Sequence, residues 1–444
     1  MARLFGTDGI RGLAGQVVTV ELAERLGFAA AGVLLGQRIT QGSRPVVIGR
    51  DTRPSGPDLE DAAVRGFTAA GCDVVRLGVV PTPAVAHAVS AYGALGLMIS
   101  ASHNPAPDNG LKLFAAGGSK LTDTQEDAIE AAMGRPGAPV DEPGSDRGAL
   151  KPGGDFPSYA EHLLGTVGPL DGLRVVVDGA NGSASAVAPE VYRAAGTQVV
   201  EIHCDADGSR INDGSGATHP EALAAAVVAH AADLGVAHDG DADRCILVDA
   251  AGMVLSGDQV LGLLALARQD AGLAGSDVLV ATVMSNLGLH HAMRDAEIEV
   301  VTTAVGDRYV LEAMLAGDHR LGGEQSGHVV LRDFATTGDG LLTALQVMDR
   351  MARTGRSLAD LASAVTLLPQ VLVNVPAERS RATDADVVAA AAAEEAALAG
   401  QGRVLLRPSG TEALVRVMVE APTQEQADQI AQRLASVVAG ERLR

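Results

Sequence analysis

The chain has 444 residues, of which 47% are hydrophobic, 2% aromatic and none tryptophan, and its formal charge is −21. Aromatic stacking platforms have little to be built from, and an acidic surface repels phosphodiester backbones and anionic lipid, so neither nucleic acid nor membrane is an expected partner. The length exceeds the roughly 100–200 residues of one domain, so two to four domains are expected, and any bound anion must be held locally by cations that include just three lysines, Lys112, Lys120 and Lys151.

In chain order, residues 46–48, 97–100, 173–177 and 278–283 are short β-branched apolar runs bounded by Gly, Pro or Asp, the pattern of buried strands. Helical spacing fills the stretches between them at 21–35, 59–70, 221–232 and 260–268. Alternation of this kind predicts α/β layers with mixed sheets. Residues 135–154, dense in Gly, Pro, Asp and Glu, predict a linker, with further divisions near 252–257 and 368–369. The expected domains are 1–150, 151–255, 256–368 and 369–444. The last reads strand 371–375, helix 384–399, strands 404–406 and 414–419, and helix 423–438, a small α+β unit with a hairpin. The three α/β units are of similar size and are candidates for structural relatives.

Cys72, Cys204 and Cys245 are odd in number and widely spaced, which argues against a disulfide framework or a zinc site. The first residues lack the charged and apolar parts of a signal sequence, and the most apolar stretch, 28–35, is too short to cross a bilayer. A cytoplasmic location is expected.

Four loops carry chemistry. Ser102 stands at the mouth of an apolar strand in Ser-Ala-Ser-His-Asn-Pro, where it is a candidate nucleophile or phosphoryl carrier, with His103 and Lys112 near in sequence to supply a proton acceptor and a cation. A turn in which Ser and Asn cap backbone groups is the competing reading. Asp239, Asp241 and Asp243 alternate with Gly240 and Ala242, and three carboxylates within five residues call for a neutralising hard cation such as Mg²⁺, with Arg244 beside them as a phosphate contact. Residues 322–328 join three glycines to Glu324, Gln325, Ser326 and His328, a set able to bond several sugar hydroxyls. Arg407, Ser409, Gly410 and Thr411 form an anion cradle near the C-terminus, to which Arg416 adds a second guanidinium if the chain folds back. Two Gly-rich turns, 6–11 with Arg11 and 49–56 with Arg50 and Arg53, are weaker candidates for phosphate contact. There is no Gly-Lys of a Walker A loop, no Gly-x-Ser-x-Gly elbow, no His-Glu-x-x-His helix and no dinucleotide fingerprint, so ATP and NAD are not expected.

Together and in this order, the four loops resemble those of the α-D-phosphohexomutase superfamily over nearly the whole chain. Three features resemble its bacterial phosphoglucosamine mutase branch: residues 5–12 at the start, Val-Gly-Asp-Arg-Tyr-Val at 305–310, and Gln325 in the sugar loop. The resemblance implies four domains around a central cleft, and an enzyme that interconverts glucosamine 6-phosphate and glucosamine 1-phosphate through a 1,6-bisphosphate, supplying amino-sugar precursors of UDP-N-acetylglucosamine for the cell wall. It makes Ser102 a phosphoserine primed by a sugar bisphosphate or a kinase, and Asp239, Asp241 and Asp243 the ligands of one Mg²⁺, completed by the serine phosphate. Arg11, His103, Lys112 and Arg244 would surround the reacting phosphoryl group. Glu324, Gln325, Ser326 and His328 would meet the sugar, and Arg407, Ser409, Gly410, Thr411 and Arg416 the other phosphate. A monomer or homodimer is implied. Ala413 and the pair Ala237-His238 depart from the usual pattern without removing a ligand. The alternatives are a mutase of the same fold acting on glucose or mannose phosphate, and a non-catalytic sugar-phosphate binder.

Overall fold

A computed structural model of the chain describes residues 3–6, 8–36, 45–134, 148–151, 158–408 and 413–440. Its first sheet takes β1 (Ile10–Leu13), β2 (Val46–Arg50), β3 (Val74–Val79), β4 (Leu95–Ile99), β5 (Asp108–Phe114) and β6 (Leu150–Lys151) in the order β1-β5-β4-β2-β3-β6. The helices of this part are α1 (Val20–Leu34), α2 (Gly56–Ala69), α3 (Thr82–Ala91) and α4 (Asp123–Met133). β2 and β4 are buried almost throughout, as their apolar runs predict. The helix ends follow local chemistry: the Thr19 hydroxyl accepts from Leu22 N at the start of α1, and Thr122 and Gln125 form a capping box on α4. Within the predicted linker, Leu150–Lys151 instead extend the sheet by pairing parallel with β3.

The second sheet follows α5 (Tyr159–Leu164). It contains β7 (Arg174–Asp178), β8 (Gln198–Ile202), β9 (Leu234–His238) and β10 (Cys245–Asp249), with α6 (Ala184–Ala194) and α7 (Glu221–Ala229) as crossovers, in the order β10-β9-β7-β8. The third follows α8 (Gly257–Asp270) and contains β11 (Val278–Thr282), β12 (Glu299–Thr303), β13 (Leu321–Gly323) and β14 (Val329–Leu331) in the order β12-β11-β13-β14. Its helices are α9 (Leu287–Asp295), α10 (Asp307–Ala316), α11 (Gly340–Thr354) and α12 (Leu358–Ala362).

One plan recurs in all three sheets. A central strand (β2, β7 or β11) pairs parallel with the next strand on one side and with the one after that on the other. The third strand then turns back into an antiparallel partner. The turn of that final hairpin lies between β4 and β5, β9 and β10, or β13 and β14. These turns hold Ser102, the three aspartates and Glu324–His328, respectively. The expected kinship of the α/β units is therefore visible as strand order, and the same topological position carries the candidate chemistry each time.

The tail forms a three-stranded antiparallel sheet, β15-β17-β16, from β15 (Gln370–Pro376), β16 (Arg403–Pro408) and β17 (Leu414–Glu420), with α13 (Ala385–Leu398) and α14 (Gln424–Val438). Val415, Val417, Val419, Ala427 and Leu434 form its core. By contacts the chain divides into two compact units, Met1–Val283 with Ile298–Ser363, and Met284–Glu297 with Ala364–Arg444. Side-chain bonds explain why α9 groups with the tail. Buried Glu420 accepts from Leu287 N at 2.9 Å and from Arg403 Nε at 2.8 Å, and Asn286 bonds both ways with the backbone of Leu368.

Candidate active site

Ser102 sits in a left-handed backbone conformation, φ 53°, which non-glycine residues adopt only when their surroundings hold them there. The surroundings are identifiable. Arg53, with no exposed surface, donates to the carbonyls of Ser102 at 2.9 Å, Asn104 at 2.7 Å and Asp108 at 2.9 Å, and also to that of Pro105. Asp51 fixes Arg53 Nε at 2.9 Å and accepts from Ser100 Oγ at 2.6 Å, and Ser100 Oγ in turn accepts from Ser102 N. Asn212, from the second sheet's part of the chain, donates to the carbonyls of Ser102 and Asn104. Sequence reading offered Arg53 as a weak candidate for phosphate contact. The structure shows it as the internal frame of the serine loop.

The aspartate loop meets that frame. Ser102 Oγ donates to Asp239 Oδ2 at 2.6 Å, and Gly240 lies so near the Ser102 carbonyl that a Cβ there would fall 2.6 Å from its oxygen. Ala242 takes φ 55°, which lets three carboxylates turn to one side within five residues. Thr82, at the start of α3, binds Asp241 twice, by N–H to its carbonyl and by Oγ1 to Oδ2 at 2.6 Å, and Gly340 N donates to the Ala242 carbonyl. His238 is buried with Nε2 2.9 Å from the Tyr192 hydroxyl and Nδ1 3.1 Å from the Arg244 carbonyl, so it braces the loop from beneath.

Asp239, Asp241 and Asp243 are buried, and one carboxylate oxygen from each lies within 4.8 Å of the others. Oδ1 of Asp241 and Oδ1 of Asp243 are buried without a hydrogen-bond partner. An all-oxygen set of three carboxylates with spare lone pairs fits a hard divalent cation. Burial, with Asp243 and Asp241 beside it, pushes the Asp239 carboxyl well above the usual range. Burial acts the same way on Asp241, but the ammonium of Lys112, bonds from Lys112 and Thr82, and the charge of Arg11 outweigh it and hold that carboxyl low.

The predicted cations converge on these acids. Lys112 Nζ lies 2.6 Å from Asp241, 2.8 Å from Asp8 and 3.4 Å from Asp243, and Arg11 pairs with Asp8. Arg244 N donates to Asp239 Oδ1 at 3.3 Å, and its Nε stands 3.7 Å from Asp243. His103 Nδ1 is 3.4 Å from Ser102 Oγ, and burial, with Arg244 and Arg11 nearby, lowers its pKa to about 4. The Glu324–His328 turn is joined to the same region. Cys245 N donates to the Gly327 carbonyl, Arg244 and His328 form a β-bridge, and the Glu324 charge acts on Arg244. Glu324 Oε1 accepts from Gly306 N at 3.0 Å, and Ser326 Oγ is buried without a partner. The Gln325 carbonyl accepts from Gly257 N, which ties the turn to α8.

In the tail unit, Arg407 and Arg416 face each other as a cross-strand pair of β16 and β17, so the chain does fold back to bring two guanidinium side chains together. Ser409, Gly410 and Thr411 lie outside the described residues. Sequence reading missed Thr82 and Asn212, and it gave no role to Lys120, whose buried ammonium joins Asp8 to Asp307. The signal available was scarcity, since two of the chain's three lysines meet at Asp8.

Models of the phosphoglucomutase/phosphomannomutase family match in four parts: α/β/α domain I at residues 2–138, domain II at 157–252, domain III at 256–367 and the C-terminal domain at 372–437. A phosphoglucosamine mutase of Frankia casuarinae is 60% identical, covering 99% of this chain and 98% of its own. Among solved structures, a phosphoglucomutase/phosphomannomutase family protein of Burkholderia thailandensis aligns with a TM-score of 0.80 at 24% identity, over 98% of this chain and 97% of that one. An Aspergillus fumigatus N-acetylphosphoglucosamine mutase, solved with GlcNAc-6P and magnesium, aligns with a TM-score of 0.68 at 19% identity, over 98% and 95%.

Proposed function

The chain belongs to the phosphoglucosamine mutase family of phosphohexomutases, and from that premise we propose that it interconverts glucosamine 6-phosphate and glucosamine 1-phosphate by lending and recovering a phosphoryl group on Ser102. The observation that carries the reading is the buried contact of Ser102 Oγ with Asp239, inside a ring of Lys112, Arg11, Arg244 and His103.

In the proposed cycle, phospho-Ser102 gives its phosphoryl group to the free sugar hydroxyl. The Ser102 Oγ–P bond breaks, an O–P bond to the sugar forms, and the hydroxyl proton leaves through His103, the neutral base beside the serine, since Lys112, the other candidate, is an ammonium held by Asp241 and Asp8. The 1,6-bisphosphate turns end for end, and Ser102 recovers the other phosphoryl group. Asp239, Asp241, Asp243 and the phosphate carried on Ser102 would hold Mg²⁺, which when bound would neutralise charge on phosphoryl oxygens. Arg11, Arg244 and Lys112 add fixed positive charge at the same place, where a low dielectric makes it most effective. Glu324, Gln325, Ser326 and His328 orient the sugar, and Arg407, Ser409, Gly410, Thr411 and Arg416 hold the phosphate that is not reacting. The domains of this reading are 1–150, 151–255, 256–368 and 369–444. A reduced cytoplasm is the proposed location. Among the described residues no helix is long and apolar enough to cross a membrane.

The test is a coupled assay for glucosamine 1-phosphate with Mg²⁺ and a bisphosphate primer, run beside glucose and mannose 6-phosphates. Preferred turnover of the amino sugar supports the proposal. Equal or better turnover of either neutral sugar, or release of free phosphate without isomerisation, would overturn it.

A further inference from the structure

The reaction scheme leaves Asp8, Lys120 and Asp307 without a role, yet their side chains are largely buried and charged. Lys120 Nζ binds Asp8 Oδ1 at 2.7 Å and also contacts Asp307 Oδ2. The other oxygen of Asp8 receives Lys112 Nζ at 2.8 Å and contacts Arg11, and Lys112 continues to Asp241 at 2.6 Å. At the far end Asp307 Oδ2 stands 3.7 Å from His328 Nε2. Charges therefore alternate from the aspartate loop towards the sugar turn, Asp241, Lys112, Asp8, Lys120, Asp307, and the His328 ring follows next in line. The Gly-Asp-Arg motif at 306–308 is the outer anchor of this chain. Its Arg308 reaches Asp123 and Glu126 of α4 and the Leu121 carbonyl, while Gly306 N is held by Glu324.

We infer that Lys120 is a positioning residue for phosphoryl transfer: held by Asp307, it fixes Asp8, and Asp8 in turn fixes Lys112 and Arg11 around the Ser102 site. The inference rests on the proposed mutase reading. Its physical basis is that Asp8 is shared between two ammonium groups. Without Lys120 the carboxylates of Asp8 and Asp307 face each other with no cation between them, so Asp8 shifts and carries Lys112 with it. Removing the Asp307 charge as well relieves that repulsion, which makes the two positions strongly coupled.

The experiment is a double-mutant cycle on the primed, Mg²⁺-loaded full chain, with Lys120→Met, Asp307→Asn and the double variant. It reads kcat and KM for glucosamine 6-phosphate, phosphoserine occupancy by intact mass, and Tm. K120M is expected to lower kcat by about tenfold or more with KM within about threefold, and the double variant is expected to be no slower than K120M alone. Lys120→Arg, which keeps the charge, should stay within about threefold of native. A K120M enzyme within about twofold of native kcat overturns the inference, as do losses that multiply in the double variant. If K120M does not fold but the double variant does, the same coupling is read through stability. If neither folds, the role is purely structural and the inference falls. A native enzyme inactive on every hexose phosphate fails the functional reading itself, whereas an active native enzyme with an unaffected K120M fails this inference alone.

Discussion

Ser102 Oγ donates to Asp239 Oδ2 at 2.6 Å although the two residues are 137 positions apart, and both stand on the hairpin turn that closes an α/β sheet. In each of the three α/β sheets a parallel strand turns back into an antiparallel partner, and the turn lies beyond the carboxyl end of that buried strand, where open α/β sheets place ligands. Two such turns meet here, so a nucleophile and an acidic cluster come together without either sheet being distorted.

Ser102→Ala removes the acceptor oxygen and leaves the Arg53 and Asn212 bonds intact, because these hold the backbone carbonyl rather than the side chain. The variant should fold, gain no phosphate in intact-mass spectra after incubation with bisphosphate, and lose activity by at least about 10⁴-fold, as removal of a covalent catalytic group does. Phosphate uptake with retained turnover would assign the carrier role elsewhere.

Arg53 is a different kind of site residue. Its side chain is fully buried, pairs with Asp51 and donates to four carbonyls of the serine loop. Arg53→Met leaves Asp51 and those carbonyls unpaired and should cost about 3–5 kcal/mol, the range for breaking a buried, hydrogen-bonded ion pair. Arg53→Lys cannot reproduce the planar fork and should recover only part of this. Urea melts measure the stability, and the fall in kcat should exceed the fall in folded fraction, since the φ of Ser102 depends on the same bonds.

Removal of the metal tests the acidic cluster. EDTA should abolish turnover, and Mg²⁺ should restore it more fully than Ca²⁺, whose larger size and higher coordination number suit a roomier set of oxygens. Asp241→Asn should raise the Mg²⁺ concentration needed for half-maximal activity by about tenfold or more and leave the fold unchanged, because Thr82 N still binds the backbone carbonyl of residue 241. Full activity after exhaustive chelation would sink the metal assignment.

The site was legible in sequence where chemistry sits on contiguous residues. Asp239-Gly-Asp-Ala-Asp-Arg244 declares itself because three carboxylates so close together need a cation wherever they fold. The tail hairpin was readable too, since two apolar runs flank Pro-Ser-Gly-Thr in the sequence, and their pairing places Arg416 opposite Arg407. Residues that act through long-range partners were not legible. Lys120 meets Asp307 across 187 positions, Thr82 meets Asp241 across 159, and Arg53 frames a loop about 50 residues later. No local spacing encodes such pairs. The grouping of α9 with the tail was hidden for the same reason, because it depends on Glu420 reaching Leu287 N.

A pH-dependent test lies at Asp339, the neighbour of Gly340, whose N–H braces the metal loop. This carboxylate is buried, accepts the Tyr159 hydroxyl on both oxygens and caps Leu342 N at the start of α11, and burial pushes its pKa up to about 6. A raised carboxyl pKa means that the folded state binds a proton the unfolded state has already released. Asp339 is therefore most favourable below about pH 4, and its contribution falls as pH rises towards 6. Asp339→Asn mimics the protonated acid at every pH. Its stability relative to the native chain should rise between pH 4 and 6.5, by up to about 3 kcal/mol, and then level off. Denaturant unfolding of both proteins across that range measures the difference directly, and comparing the pair cancels the acid loss caused by carboxylates such as Asp8 that are held low. A difference that stays flat with pH would show that Asp339 is charged in the folded state at no cost.

Gly288 offers a sharper test of why α9 groups with the tail. It is the second residue of α9, and a Cβ built there would fall 2.0 Å from the Thr366 carbonyl oxygen, a backbone atom that cannot swing aside. In an exposed helix, Gly→Ala would favour folding by roughly 0.5–1 kcal/mol. Here the clash should reverse the sign and cost about 1–3 kcal/mol, the usual range for overpacking. Because Asn286 binds both polar groups of the Leu368 backbone within the same unit, the strain should appear as faster amide exchange at Leu287 and Leu368, whose N–H groups bond Glu420 and Asn286. Unchanged exchange at those two amides, or a gain in stability, would mean that α9 does not approach residues 364–368 as closely as these contacts require.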